Sequence, residues 1–491
     1  MKNKNFIYII FVVSLLIFFN LNVLVAQENP SLDCFTIIVG KNATSEGSII
    51  VAHNEDDYGK QIVNLYRTSE KTNNKNEVIK FENGGTLKQV EKTNGFIWIE
   101  LPGMKVSDGY INDDGVVVFS NGCPSREDKP DSTAGGILYW VRRIIAERAH
   151  SAKEGVKIAG SLIEKYGYVS SGRTYTIADK NEAWVLSAVY GKHWIAQRVP
   201  NDEIAVIPNY YTIGKVNLKD TLNFLGSSDI ITYAEKKGWY IPDENNEFNF
   251  AKSYTALTSI NHPGNINRIW RGINLLSNQD FKIDQKFPFS FKPYKKFDIE
   301  EIMEILKDHY EICELDKSDM YKNGNPHFEN YSTICSETTQ FSLVVQLRQN
   351  MPTEIGTLVW LTYFRPCVNL YAPIYLGIKN FPEGFAYTNS DEAIKLHFNP
   401  DEEIFKKNSS HVYWDFIAAN DFVGQDFYSI YPRVKNQNNF LQNDLIRKTK
   451  VFENNVLKLY SDNPKSALDQ IDEYSKNKLN EIHSYTKNLL K

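Results

Sequence analysis

The chain has 491 residues, of which 42% are hydrophobic and 13% aromatic, enough for one large core or two ordinary domains. Its formal net charge is -5, so no basic excess indicates nucleic acid or an anionic membrane surface as a partner. The chain carries no internal repeat and no Pro/Gly/Ser linker that would divide it.

The first residues are typical of a targeting signal. "MKNKNF" supplies a positive start, and "IYIIFVVSLLIFFNLNVLV" is an apolar run that ends before "VAQ". The pattern predicts a signal peptide over residues 1–26, and with it export to the periplasm or the cell exterior. Because the run is also near the length that spans a bilayer, a retained membrane anchor is the alternative.

Strands dominate the next part of the chain. "FTIIVG" and "SIIVAH" are rich in β-branched residues, and "KNATSEG" between them has turn chemistry, which predicts a hairpin. "GFIWIEL" and "GVVVFSNG" continue the strand pattern.

A helical pattern follows in "AGGILYWVRRIIAERAHSAKEGVKIAGSLIEKYG". Its apolar residues recur every three or four positions, which predicts two helices that separate near residues 150–151 and stop at Gly167.

Strands return in "RTYTIADKNEAWVLSAVYGKHWIAQRV", "IAVIPNYYTI", "ICSETTQFSLVVQLR" and "GTLVWLTYF". The tail, residues 438–491, is charged and has the pattern of two helices. Because strands and helices segregate into blocks, the chain is predicted to form an α+β layered fold.

The hairpin brings a thiol close to a polar cluster. If the two strands pair about a turn near Thr44, the numbers of paired positions sum to about 88. Cys34 then lies opposite Asn54, within one residue, and the thiol shares a sheet edge with His53 and Asp56. A slip of one residue would change which face each side chain occupies.

A thiol in this place needs a base to act as a nucleophile, because its free pKa is about 8.5. If the chain were cut before Cys34, the α-amine of that residue, with a pKa of roughly 7.7–8.0, could serve as the base. Asp56 could then orient the ammonium group, and asparagine side chains could donate to an oxyanion. The structural alternative is a buried, inert cysteine beside a solvated turn.

The cysteines number five: Cys34, Cys123, Cys313, Cys335 and Cys367. In an exported protein they are free to form disulfides, and the odd count leaves at least one thiol unpaired. The four besides Cys34 could form two bridges or be buried apolar residues. Their spacings do not resemble a zinc site, and the nine histidines form no HExxH pattern.

The segments "CFTIIVG" and "SEGSIIVAHNED" resemble the N-terminal signature of the cysteine dipeptidases of the N-terminal-nucleophile (Ntn) hydrolase superfamily, to which the secernins are also related. The helical segment is similar to that of the family. So are "YTIADKNEAWVLSAVYGKHWIAQRVPNDEIAVIPN", "NRIWRGINLL", "KDHYE" and "QLRQNMPTEIGTLVWLTYFRPCVNLYAPIY", in the same order. The resemblance runs from residue 34 to about residue 375.

This resemblance implies a precursor in which residues 27–33 form a propeptide, and Cys34 becomes the mature N-terminus and nucleophile. It implies a four-layer αββα sandwich of two antiparallel sheets between helices, over residues 34–437. The helical tail, residues 438–491, lies beyond the resemblance.

Further site residues follow from the resemblance. Asp56 resembles the acid that holds the α-amino group. His53 stands where arginine is more usual, so its role in orienting the thiolate departs from the family pattern. Asn121, in "FSNG", resembles an oxyanion-hole donor.

Two more come from later segments. Asn209, in "IPNYY", resembles the second active-site asparagine of the superfamily. Arg268, in "NRIWR", resembles its late arginine, and Arg271 matches almost as well.

The predicted activity is hydrolysis of short peptides, most simply dipeptides, through a thioester on Cys34, with no metal or organic cofactor. The alternatives are an amidase or acyltransferase of the same superfamily, a non-enzymatic interaction protein on the same fold, and a secreted binding domain whose thiol is structural. No stable membrane partner is expected unless the N-terminal apolar segment is retained.

Overall fold

The computed structural model describes residues 34–58, 61–243, 246–277, 279–407 and 410–491. The predicted signal peptide, residues 1–26, and propeptide, residues 27–33, lie outside the described residues and stay predictions.

The strands belong to two large antiparallel sheets and two short ribbons. In chain order, the strands of the described residues are β1 (Phe35–Val39), β2 (Ile49–Asp56), β3 (Asn64–Thr68), β4 (Lys71–Thr72), β5 (Val78–Lys80), β6 (Thr86–Lys88), β7 (Lys92–Thr93), β8 (Phe96–Glu100), β9 (Gly109–Asn112), β10 (Val117–Gly122), β11 (Tyr168–Ala178), β12 (Ala183–Gly191), β13 (Trp194–Arg198), β14 (Ile204–Ile207), β15 (Phe224–Gly226), β16 (Thr339–Leu347), β17 (Thr357–Tyr363) and β18 (Ala372–Tyr375).

The helices of the same residues are α1 (Trp140–Arg148), α2 (Ala152–Tyr166), α3 (Ile230–Lys236), α4 (Phe250–Tyr254), α5 (Leu257–Ile260), α6 (Pro263–Leu276), α7 (Ile299–Leu306), α8 (Pro326–Glu329), α9 (Thr353–Gly356), α10 (Ser390–Leu396), α11 (Tyr413–Gly424), α12 (Phe427–Asp462) and α13 (Pro464–Asn488). A short 3-10 helix covers Glu402–Phe405. Within this part of the chain, no helix combines the length and the apolar character that crossing a membrane requires.

The first sheet has the strand order β14-β1-β2-β16-β17-β18, and the second has the order β15-β13-β12-β11-β10-β9-β8-β3. Strands β1, β2 and β16 of the first sheet are buried along their whole length. A strand covered on both faces needs apolar residues at successive positions, which explains why "FTIIV" and "SLVV" do not alternate with polar residues.

The core has three apolar layers. One lies between the two sheets and includes Ile38, Val51 and Val345 of the first sheet and Ile99, Val117 and Val185 of the second. A further layer covers the outer face of the first sheet, where Ala52 and Val344 pack with Ile269, Ile302, Val456 and Ile471 of helices α6, α7, α12 and α13. The last covers the outer face of the second sheet, where Val118 and Ile177 pack with Val141, Ile145, Val156 and Ile163 of α1 and α2. This helix–sheet–sheet–helix order confirms the predicted αββα sandwich.

The predicted pair of helices after the strand block is confirmed. Helix α1 ends at Arg148, and α2 begins after Ser151, whose side chain accepts a hydrogen bond from the backbone N–H of Glu154. Gly167 ends α2 with φ of 82°, a conformation that glycine adopts without steric cost.

The C-terminal helices are part of the main fold. Helix α12 has 36 residues and runs unbroken through residue 438, where the sequence pattern predicts the tail to begin. Strand β18 is an edge strand of the first sheet, and side chains of the two helices cover its backbone. Tyr371 N–H donates to Gln442 at 2.8 Å, and Tyr375 N–H donates to Ser475 at 3.1 Å. The helices thus protect this edge from pairing with another chain.

A buried ion pair joins α12 to the first sheet. Glu453 accepts from Arg348 at 2.6–2.7 Å and from the Tyr375 hydroxyl at 3.2 Å, and both charged side chains are less than a tenth exposed. Removing one member of such a pair leaves an uncompensated buried charge.

We therefore expect Glu453→Ala to lower the free energy of unfolding by about 3–5 kcal/mol. Urea unfolding followed by tryptophan fluorescence would measure the change. Glu473→Ala, at an exposed position of α13, is the matched control, with an expected change within about 0.5 kcal/mol. Equal effects of the two substitutions would contradict the anchoring role of Glu453.

Candidate active site

Cys34 immediately precedes β1 and is buried. Strands β1 and β2 pair with Phe35 opposite Asn54, so the paired numbers sum to 89 and Cys34 lies level with Glu55. The Cys34 thiol donates to Glu55 Oε1 at 3.7 Å and to the backbone carbonyl of Asp56 at 3.6 Å. The thiol therefore lies beside the acidic cluster, as predicted. The paired numbers sum to 89 rather than 88, so the residue level with Cys34 is Glu55 rather than Asn54.

Alternation along the hairpin divides its polar side chains between two faces. Thr36 and His53 lie on the face that meets the second sheet, where the His53 ring stacks on Phe119 of β10 with centroids 5.4 Å apart. Asn54 lies on the other face, where its side chain donates to two backbone carbonyls, of Leu306 and Ile334, at 2.9 and 2.8 Å. The thiol and Asn54 are thus separated by the sheet rather than in contact.

A chain of hydrogen bonds crosses the space between the sheets. Asn121 Nδ2 donates to the Ile207 carbonyl at 3.1 Å, and this bond fixes the orientation of the amide. Asn121 Oδ1 then accepts from the Thr36 hydroxyl at 2.8 Å. Since the Thr36 proton is used there, its oxygen accepts from His53 Nδ1 at 2.7 Å. The neutral imidazole therefore carries its proton on Nδ1 and presents a lone pair at Nε2.

Glu55 completes this chain. Its Oε2 lies 2.8 Å from His53 Nε2, and because that nitrogen is an acceptor, the carboxyl group must be protonated to bond it. Burial raises the pKa of Glu55 to about 8 and lowers the pKa of His53 to about 3, in agreement with a neutral acid beside a neutral imidazole. His53 is therefore not a cation near the thiol, and it reaches Cys34 through Glu55.

Two arginines balance the acids of this space. Arg142 of α1 and Arg173 of β11 are both buried, and both contact the Ser120 hydroxyl, at 3.1 and 3.4 Å. Their charges favour ionisation of Glu55 and Asp57, but burial outweighs them and raises the pKa of Asp57 to about 8 as well.

The same environment acts on the thiol. Burial, followed by the nearby carboxyl groups of Glu55, Asp56 and Asp57, raises the pKa of Cys34 well above its ordinary value. The thiol is therefore protonated in this form of the chain, in which residues precede Cys34.

Asp56 lies among hydroxyl groups. Its Oδ1 accepts from Ser336, from Thr339 at 2.7 Å and from Thr338 at 3.4 Å. The backbone carbonyl of Asp56 contacts the Cys34 thiol. The hydroxyl groups therefore fix the carboxylate of a residue that touches the sulfur atom proposed as the nucleophile.

Arg268 of α6 connects Cys34 to Asn209. Its guanidinium donates to the Cys34 carbonyl at 2.8 Å and to Asn209 Oδ1 at 3.1 and 3.2 Å. This orients the amide of Asn209 so that Nδ2 points away from the arginine. Within the described residues, that buried Nδ2 has no hydrogen-bond partner. A buried donor without an acceptor, connected to the Cys34 carbonyl through Arg268, suits a developing oxyanion.

Arg271, the alternative to Arg268, lies elsewhere. Its guanidinium forms an ion pair with Asp308 at 2.7 Å and donates to the Glu311 carbonyl at 2.9 Å. Of the two arginines, Arg268 is the one that contacts Cys34.

The predicted residues therefore fall into two groups around Cys34. Asn209, Arg268 and Asp56 hold its backbone and one side of the site. His53 and Asn121 belong to the hydrogen-bond chain on the other side, where the Asn121 amide serves Thr36 and Ile207. The oxyanion role of Asn121 stays a prediction.

Sequence reasoning missed Glu55, Thr36 and the arginine pair Arg142 and Arg173. A pairing sum of 89 instead of 88 places Glu55 beside the thiol, so the hairpin pattern could have indicated this residue. The arginines come from distant segments, a helix and a strand of the second sheet, and local spacing carries no signal for them.

All five cysteines lie in described residues and none forms a disulfide. The alternative of two bridges is therefore not what the structure has. Cys335 and Cys367 instead approach His327, at 3.5 and 3.6 Å, a grouping that the spacing of these cysteines along the sequence does not indicate. Their positions along the chain are too far apart for a local motif.

Three features together are typical of a hydrolase with a cysteine nucleophile. They are the two stacked sheets, the single thiol at the start of β1 and a buried amide donor without a partner. The model of peptidase family C69 matches residues 133–439, more than half of the chain. The chain belongs to peptidase family C69, a family of cysteine peptidases. This confirms the resemblance found in the sequence.

Similar proteins extend beyond the matched region. A protein of Latilactobacillus sakei named "Probable dipeptidase" is 27% identical over 368 residues, covering 72% of this chain and 76% of its own length. A protein of Salmonella dublin with the same name is 26% identical and covers 72% of this chain and 82% of its own. "Probable dipeptidase B" of Streptococcus pyogenes serotype M1 is 23% identical and covers 91% of this chain and 90% of its own.

Two solved structures are also similar. Penicillin V acylase from Agrobacterium tumefaciens is 12% identical, with a TM-score of 0.35, over 70% of this chain and 86% of its own. A mutant of conjugated bile acid hydrolase from Clostridium perfringens is 11% identical, with a TM-score of 0.33, over 70% of this chain and 92% of its own.

The protonated Glu55 predicts a pH dependence of stability. Its pKa is about 8 in the folded chain and about 4.3 in an unfolded one, so between these values the folded state holds a proton that the unfolded state releases. The stabilisation that this proton gives the folded chain is complete below about pH 4.3 and is lost as the pH rises to about 8.

We expect Glu55→Gln, which keeps a neutral group of the same shape, to remove part of this decline. Chemical denaturation of the Cys34→Ala protein between pH 6 and pH 8 would show a slope shallower by about 1 kcal/mol per pH unit. Glu91→Gln, at an exposed position, is the control and should leave the slope unchanged. An unchanged slope in Glu55→Gln would mean that Glu55 is ionised in the folded chain.

Proposed function

We propose that the protein is an exported dipeptidase that hydrolyses short peptides through a thioester on Cys34, after removal of the residues that precede it. The observation that carries the proposal is the contact set of Cys34. Arg268 binds its carbonyl, and the Arg268–Asn209 bond leaves an amide donor free for an oxyanion. Membership of family C69 and the names of the similar proteins support a peptide substrate.

In the proposed mechanism, the new α-amine of Cys34 takes the thiol proton, and the thiolate attacks the peptide carbonyl. Asn209 Nδ2 donates to the oxyanion. The ammonium group then gives its proton to the leaving amine, and water hydrolyses the thioester by the reverse proton transfers. Asp56 orients the ammonium group throughout.

Cleavage before Cys34 has a further electrostatic consequence. The chain as described has a thiol whose pKa is raised by burial and by neighbouring carboxyl groups. A free α-amine adds a positive charge next to the thiol, and this charge opposes the effect of the carboxyl groups. Processing therefore supplies the base and eases ionisation of the nucleophile in one step.

The first experiment is to determine the N-terminal residue of the exported protein by intact mass. We expect Cys34, with activity on dipeptides that falls about 10⁶-fold in Cys34→Ala, as for removal of other catalytic nucleophiles. Cys313→Ser, at a half-buried thiol, is the control and should keep full activity. An active protein that still begins at residue 27 would contradict the α-amine as base.

A second form of the chain separates processing from catalysis. Replacing residues 1–33 by one initiator methionine, which cells remove, should give an active enzyme directly. Placing a glycine before Cys34 in that form should abolish activity. Parallel assays on acylated amino acids would show whether another amide is the better substrate.

The role of Asn209 as an oxyanion donor can be tested without losing its hydrogen bonds to Arg268. Asn209→Asp keeps an oxygen for Arg268 but removes the free donor, so we expect kcat to fall about 10²–10³-fold with little change in thermal stability. Asn209→Ala should lose the hydrogen bonds to Arg268 as well and fall at least as far. Wild-type kcat in Asn209→Asp would exclude Asn209 as the oxyanion donor.

A further inference from the structure

Four side chains with metal-binding atoms meet in a region outside the Cys34 site. They are His309, His327, Cys335 and Cys367, all of them buried, and their ligand atoms lie within 4.8 Å of one another. We name this group the Cys2His2 cluster. None of its members takes part in the reaction proposed above.

The distances within the cluster match the edges of a tetrahedron. His309 Nε2 lies 3.1 Å from His327 Nε2, which lies 3.5 Å from Cys335 Sγ and 3.6 Å from Cys367 Sγ. A tetrahedral zinc ion with Zn–N of about 2.05 Å and Zn–S of about 2.3 Å separates its ligands by about 3.3–3.8 Å. The three distances from His327 Nε2 are thus close to those between ligands of one ion, and all four atoms lie within 4.8 Å of one another.

Hydrogen bonds on the far side of each ring fix the tautomers. His309 Nδ1 lies 3.1 Å from Glu311 Oε1, and His327 Nδ1 lies 2.8 Å from Asn325 Oδ1. The Asn325 oxygen also accepts from the His327 backbone N–H, which establishes that this atom is the acceptor. Both rings therefore donate from Nδ1, and the Nε2 atom of each ring faces the interior of the cluster.

The two Nε2 atoms lie 3.1 Å apart, close enough to bind one shared ion. Imidazoles that bind metals commonly donate their other N–H to a carboxylate or carbonyl oxygen, as both rings do here. The cluster thus combines ligand atoms at tetrahedral spacing with partners that hold both rings in the metal-binding tautomer.

We propose that the Cys2His2 cluster binds one structural Zn²⁺ ion. Binding displaces the thiol protons of Cys335 and Cys367 to solvent, so each ion taken up releases two protons. Two thiolates, two neutral imidazoles and the divalent ion give a site with no net charge. This suits its surroundings, where the rings of Phe427 and Tyr431 pack against His309 with centroids 5.9 Å away.

The donor set selects among metals and roles. Thiolates and imidazoles in a tetrahedron are ligands typical of zinc, whereas calcium and magnesium require oxygen. Four protein ligands leave no open position for water or substrate, so the ion is structural rather than catalytic.

The ion would stabilise the connection between α7 and β16. Within residues 307–338, all of which the structure describes, the only helix is α8, with four residues, so turns rather than regular secondary structure make up most of this connection. Its C-terminal end is tied to the hairpin: Asn54 donates to the Ile334 carbonyl, and Ser336 donates to Asp56. Because Cys335 lies between Ile334 and Ser336, a metal ion bound to Cys335 would help to position Ser336, which binds Asp56.

The test is the metal content of the full chain, purified without chelator and measured by inductively coupled plasma mass spectrometry. We expect about one zinc per chain in the wild type and in Cys313→Ser, the control cysteine variant. Cys335→Ser and Cys367→Ser should each retain less than a tenth of that zinc. Replacement by Co²⁺ should give the intense visible bands of a tetrahedral cobalt thiolate site in the wild type, and these should be absent in both variants.

If the serine variants fail to fold, the wild type alone still decides. Removing zinc with a chelator should expose two additional reactive thiols and lower the melting temperature, and added Zn²⁺ should reverse both changes. Wild-type protein without zinc that takes up neither Zn²⁺ nor Co²⁺ would overturn the proposal. So would a Cys335–Cys367 disulfide, detected as a mass lower by two hydrogens. Cys34→Ala should bind zinc normally, so the outcome is independent of the proposed peptidase mechanism.

Discussion

The pairing of β1 with β2 is the constraint on which the site depends. It sets Cys34 level with Glu55 in the space between two sheets, where water cannot solvate an ion. Charge there must be neutralised by protonation or by a partner. Burial raises the pKa of Glu55 to about 8, so its neutral carboxyl group donates to His53, and the thiol stays protonated beside it. Burial therefore disfavours the thiolate form of Cys34 in the chain as described.

The hydrogen-bond chain that carries this state begins at a backbone carbonyl. The Ile207 carbonyl belongs to β14, the neighbour of β1 in the first sheet, and it orients Asn121 from the second sheet. Each later bond is decided by the one before it, since every group has a limited number of donors and acceptors. The face-to-face stacking of the sheets thus determines the protonation of Glu55, several bonds away from the backbone group that starts the chain.

How much of this could be predicted from the sequence depends on the range of the interaction. The hairpin, the helix break before Ser151 and the stop at Gly167 follow from local patterns, and all are present. The family resemblance indicated Asn209 and Arg268, which contact each other, and Arg268 also contacts Cys34. Arg142 and Arg173 enter from distant elements, and a one-residue uncertainty in register was enough to hide Glu55. The sequence carries no local signal for the Cys2His2 cluster, because its members are spread over residues 309–367 with no short motif.

The two faces of β2 connect the active site to that cluster. On the inner face, His53 and Glu55 determine the protonation state near the thiol. On the outer face, Asn54 and Asp56 bind the residues on either side of Cys335. Because a β-strand alternates its side chains, one short stretch of sequence serves two environments that do not touch. Loosening of the connection between α7 and β16 would therefore reach Cys34, the proposed nucleophile, first through Asp56, the residue proposed to hold its α-amine. The hydrogen-bond chain on the inner face would stay in place.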